Sequence, residues 1–91
     1  MGYYMCEVKN SANEITKVLG RCNKGEDFKT LRNWWATTPN GICFSVYDYC
    51  AYRNIKASEV YEYHIGTTSE AKSEAVVEYL KSMGLNAYKR I

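Results

Sequence analysis

The sequence predicts an α+β domain of the ferredoxin-like kind, βαββαβ: a four-stranded antiparallel sheet with two main helices on one face and a short extra helix before the second strand. Three observations predict it. Apolar residues alternate over 3–9, 42–52 and 59–66, the two-residue period of a strand. They recur every three or four residues over 11–22 and 67–84, the period of an amphipathic helix. Two strand–helix–strand units flanking a hairpin put both helices on one side of the sheet, because such crossovers are right-handed.

The first strand runs from Tyr3 to Lys9, with Tyr4, Cys6 and Val8 alternating with Tyr3, Met5 and Glu7. "SANE" then offers Ser11 as N-cap and Glu14 three residues later, a capping box. Ile15, Val18, Leu19 and Cys22 share one side of the helix that follows. Within "GEDFKTLRNWWATTPNG", Phe28, Leu31, Trp34 and Trp35 recur at helical spacing, so a short second helix is expected, stopped before Pro39. Asn40-Gly41 makes a turn into a strand over 42–52, with Ile42, Phe44 and Val46 on one face and Cys43, Ser45, Tyr47 and Tyr49 on the other. "EVYEYHIG" is the antiparallel partner of that strand, placing Tyr61, Tyr63 and Ile65 together and opposite Val60, Glu62 and His64. In the last helix Thr67 and Glu70 fit a capping box, and Gly84 fits a left-handed C-cap with Leu85 supplying its apolar contact. "LNAYKRI" closes as a strand.

The 91 residues are the material of a single domain spanning 1–91. A 46% hydrophobic and 24% charged composition is that of an ordinary globule, and a net charge of +2 is too small to attract nucleic acid or membranes without a local patch. No apolar run nears the roughly 20 residues that span a bilayer. "MGYYMCEVKN" lacks a basic segment followed by a long apolar one, so the chain is expected to be soluble and cytoplasmic. Cysteines 6, 22, 43 and 50 have no metal-type spacing and read as reduced thiols. No glycine-rich phosphate loop follows any strand. His64 is the single histidine, so a Cys–His nucleophile would need Cys43 or another thiol beside it, with no orienting third group in view. No catalytic residue, metal site or cofactor is therefore assigned, and the chain reads as a non-enzyme.

What stands out is the aromatic content of the sheet. Alternation leaves Tyr3, Met5, Glu7, Tyr47, Tyr49, Glu62, His64, Tyr88 and Arg90 on the side away from the helices. Clustered exposed rings favour a docking surface, since tyrosine offers rigid contact area and a hydroxyl. The predicted protein-binding residues are Tyr3, Tyr47, Tyr49, Tyr88 and Arg90, with Trp34 and Trp35 either joining them or covering the face. The expected function is a small regulatory protein of the inhibitor or adaptor type, a class that includes inhibitors encoded by phages and mobile elements, whose partner is another protein or a second copy of the chain. The alternative is a nucleic-acid module using a basic row, Lys17, Arg21 and Lys24, with Lys29 and Arg32 behind it and tyrosines for stacking. Sheets of this topology that bind RNA stack bases on rings of their two central strands, whereas the third strand here offers Glu62 and His64.

Overall fold

A computed structural model describes residues 3–24, 32–48 and 55–89, with side chains over 6–22, 32–48 and 55–89. Along the chain lie β1 (Tyr3–Ser11), α1 (Ala12–Leu19), β2 (Asn23–Lys24), β3 (Arg32–Thr37), β4 (Cys43–Tyr47), β5 (Val60–Thr67), α2 (Glu70–Ser82) and β6 (Ala87–Lys89). The strands form one antiparallel sheet in the order β2-β3-β4-β5-β1-β6. The α+β class holds, but the sheet is wider than the expected four strands. The extra width comes from residues 23–24 and 32–37.

The short helix expected before the second strand is corrected by β3. Trp34 pairs with Val46 and Ala36 with Phe44 in a hairpin that closes through residues 38–42, where Thr38 donates its N–H to the Ile42 carbonyl and Gly41 donates to that of Thr38. A strand sends adjacent side chains to opposite faces, so the two tryptophans part company: Trp34 is 1% exposed and Trp35 54%. Phe28 and Leu31, which completed the helical spacing, lie outside the described residues.

The core is a single layer between the sheet and the two helices. Cys6 and Val8, Trp34, Phe44 and Val46, Tyr63 and Ile65, and Ala87 line one sheet face. Their cross-strand registers, Cys6 with Ile65, Val8 with Tyr63 and Ala87, and Val46 with Ile65 and Trp34, put them on that face together. Trp34 meets Tyr63 edge to face at 5.2 Å and donates its indole N–H to the Thr16 hydroxyl, which ties β3 to α1. Ile15 from α1 and Val76, Val77 and Leu80 from α2 close the layer.

The caps follow from local chemistry. Ser11 and Glu14 form the reciprocal box at α1. The Ser11 amide, followed by the Asn10 side chain and the Ser11 hydroxyl, holds the Glu14 carboxyl below its ordinary value. At α2 the expected Thr67 cap is corrected, because β5 runs on through Thr67, which pairs with Tyr3. Ser69 caps instead, accepting from the Lys72 amide, while the Thr67 hydroxyl donates to the Ser69 carbonyl and meets Ser73. The helix ends as expected: Gly84 has φ +89°, where a side chain would strain the backbone, and Leu85 donates back to the Leu80 carbonyl.

Candidate surface on the open sheet face

Opposite the core, one row of side chains crosses the sheet. Tyr88 of β6 stands beside Glu7 of β1, Glu7 beside His64 of β5, His64 beside Tyr47 of β4, and Tyr47 beside Asn33 of β3. Sheet pleating alone creates this alignment, since residues in register on one face have Cβ atoms about 5 Å apart. A second row runs along β5 as Val60, Glu62, His64 and Gly66.

The contacts along the first row are specific. Tyr47 stacks on His64 with centroids 5.6 Å apart and planes at 28°. The ring can lie there because Gly66, two residues from His64, has no side chain: a Cβ on Gly66 would come within 3.1 Å of Tyr47 Cε1 and 2.9 Å of Ser45 Oγ. Beyond His64, the Tyr88 hydroxyl reaches Glu7 Oε1 at 3.2 Å and donates a second, shorter contact to Glu62. Burial, followed by the Glu62 hydrogen bond and the Glu7 charge, pushes the Tyr88 phenol well above its ordinary value. Glu7 Oε2 lies 3.7 Å from His64 Nδ1, and the Glu7 side chain is only 9% exposed. Glu7, Lys9, Val60, Tyr61, Glu62 and His64 line a shallow depression at this end of the face.

Apolar side chains mark the two ends of the face. Trp35 pairs with Ser45, whose other neighbour is Gly66, while Val60 pairs with Ser11 at the far end of β5. Of the three large hydrophobic side chains that the described residues expose, Trp35 (54%), Val60 (55%) and Met83, the first two are on this face. Six residues separate Val60 from Gly66, a span of about 20 Å at ~3.3 Å per residue.

The sequence-predicted residues are dispersed differently from the expectation. Tyr47 and Tyr88 are half-buried on the open face, and Trp35 joins them. Trp34 is corrected: it is a core residue and offers no docking surface. Tyr49, Arg90 and Lys29, and the side chains of Tyr3 and Lys24, lie outside the described residues. Lys17 and Arg21 are exposed at α1, whereas Arg32 sits on β3 with its guanidinium donating to the Ile55 carbonyl at 2.6 Å. Residues 32–37 join the sheet and leave the open face uncovered by that segment. Val60 and Glu62 join the face beyond the expected site residues, and the alternation of "VYEYHI" carries the signal that finds them.

For acid–base or nucleophilic chemistry the face offers few combinations. Cys43 lies four residues along β4 from Tyr47, the residue in register with His64, which is about 13 Å at ~3.3 Å per residue. Its thiol meets the Thr37 hydroxyl at 3.7 Å. Cys6 is buried in the core, and burial pushes its thiol up, away from the thiolate that reactivity requires. Among the described residues no three His, Cys, Asp or Glu side chains are grouped to hold a metal ion, and no helix is long and apolar enough to cross a membrane. The Glu70 and Glu74 carboxylates on α2 are engaged by Lys89 Nζ at 2.6 and 3.0 Å. No family model, curated protein or solved structure matches this chain.

Proposed function

We propose that this chain is a small non-enzymatic binding protein, of the inhibitor or adaptor type, that docks onto another protein through the open face of its sheet. The observation that carries the reading is the pair of exposed apolar side chains, Trp35 and Val60, at either end of a face whose centre is aromatic and polar. Exposed tryptophan is expensive to leave in water, and apolar anchors around a polar centre are the composition of recognition surfaces. The Tyr47–His64 stack adds rigidity, so little side-chain entropy is lost when a partner covers it. A ferredoxin-like arrangement fits the same reading, with β4-β5-β1-β6 as its four-stranded sheet and β3 and β2 added at the edge. Cytoplasmic residence and an origin in a phage or mobile element belong to the proposal as well.

The nucleic-acid alternative rests on Lys17 and Arg21, but these stand at α1 on the covered side, away from Tyr47, and the centre of the open face carries two carboxylates, Glu7 and Glu62. Phosphates are repelled where the rings would stack bases.

The test measures retention of the chain's native partner by wild type, Trp35→Ala, Val60→Ser and Lys17→Glu/Arg21→Glu. Docking through the face predicts that the first two substitutions weaken retention and that the charge reversal leaves it unchanged. Steeply salt-dependent binding to oligonucleotides, lost on charge reversal and indifferent to Trp35, would replace this reading with the alternative.

A further inference from the structure

The chemistry of the partner can be taken one step further, on the premise that the open face is the docking surface. The key group is the Tyr88 hydroxyl. It is within reach of both Glu7 and Glu62, yet a phenol carries a single hydrogen and can donate to one carboxylate at a time. The two carboxylates therefore share a single phenol hydrogen. Beside Glu7, His64 Nδ1 stands at 3.7 Å, longer than a hydrogen bond. Glu7, its side chain only 9% exposed, thus has a shared phenol and an imidazole at 3.7 Å as its partners, at the edge of the depression it shares with Glu62. Lys9, in register with Glu62 on the neighbouring strand, is the one lysine or arginine lining that depression. Two carboxylates face one ammonium group.

We propose that the open face receives an arginine of the partner protein, its guanidinium seated between Glu7 and Glu62 beside the Tyr47–His64 stack. Each structural element of the seat matches a property of that side chain. The guanidinium is planar and presents five donors, enough to serve both carboxylates at once, and its plane lies favourably against aromatic rings. Arginine is enriched with tryptophan and tyrosine at the energetic centres of interfaces. Trp35 and Val60, at the two ends of the face, would take apolar residues of the same partner on either side of the ion pair. A segment of a protein supplies both the cation and the apolar residues for these two anchors, which a free metal ion or a nucleic acid does not.

The proposal is tested by selecting random 12-residue peptides displayed on phage against the folded full chain, then measuring the strongest synthetic binder by fluorescence anisotropy. The expected winner carries an arginine whose replacement by citrulline, equal in shape and neutral, weakens binding at least about tenfold on wild type. The same replacement has little effect on Glu62→Gln, since the charge it would pair with is gone. If citrulline and Glu62→Gln each leave affinity within about twofold while Trp35→Ala weakens it, the arginine seat is wrong and the docking face stands. Winners indifferent to Trp35, Val60 and Glu62 alike, or a selection that yields no binder, overturn both. Circular dichroism of each variant confirms that the loss is not unfolding.

Discussion

Replacing Gly66 by alanine asks whether the Tyr47 stack depends on a missing side chain. The backbone at Gly66 is not in the left-handed region, so alanine brings no torsional strain there, and by shrinking the unfolded ensemble it should stabilise by about 0.4–1 kcal/mol. Against this, the new methyl would lie 2.9 Å from Ser45 Oγ and 3.1 Å from Tyr47 Cε1. Ser45 is buried, 4% exposed, and has little room to retreat. The Tyr47 ring therefore has to give by a few tenths of an ångström, which loosens its contact with His64. Overpacking of this kind costs about 1–3 kcal/mol. The balance is a loss of up to about 2.6 kcal/mol with a midpoint of ~1.3, which is roughly 5–10 °C in Tm for a domain of this size. Urea unfolding gives the energy, and aromatic proton shifts of Tyr47 and His64 report the stack. A Gly66→Ala protein at least as stable as wild type, with those shifts unmoved, would refute the account of how Tyr47 is held.

Three further outcomes follow from the same geometry. Trp34→Ala should cost about 3–5 kcal/mol by opening a cavity beside Tyr63, while Trp35→Ala changes stability by less than about 0.5 kcal/mol; urea midpoints showing equal losses would argue against β3. Ser69→Ala should lower stability by about 1 kcal/mol in thermal unfolding through loss of the α2 cap, and an unaffected melt would point back to Thr67. Stability should also fall as pH rises past about 10. The folded Tyr88 phenol holds its proton above the ordinary 10.0, so over that range only the unfolded chain gains by ionising; the contribution is complete below 10.0 and is lost towards the higher folded value. Tyr63, raised chiefly by burial, acts in the same direction, so Tyr88→Phe should reduce the alkaline loss measured by denaturant titration without abolishing it.

Much of the scaffold was legible because β1, β4 and β5 alternate with their covered faces apolar. Cys6, Val8, Phe44, Val46, Tyr63 and Ile65 could be assigned to the core from period alone. The segment around Trp34 and Trp35 is ambiguous in the sequence because its aromatic residues also satisfy helical spacing. What decides the matter is the company they keep: "NWWATT" is rich in residues that favour strands, and it stands one turn away from "CFSVY". The Thr67 cap failed for a related reason. Two hydroxyl residues, Thr67 and Ser69, compete at that boundary, and the choice depends on where β5 stops, which is fixed by pairing with Tyr3 rather than by anything local. On the open face, alternation alone places Glu7, His64, Tyr47 and Tyr88 together, as the strand registers do. The Glu7–Tyr88–Glu62 contact was not legible, since it joins residues 81 and 26 positions apart in the chain.

The β3 hairpin has a consequence for the size of any interface. By extending the sheet past β4 it makes Tyr47 an interior residue of the face and spreads five strands, β3 to β6, over a width of about 19 Å at ~4.8 Å per strand. With a length of about 20 Å, the platform covers on the order of 400 Å² in plan, half of what a standard interface buries on each partner. For the docking proposed above, a partner confined to this rectangle buries less than a standard interface does, and one that also reaches around the 38–42 turn to the side of the hairpin buries more.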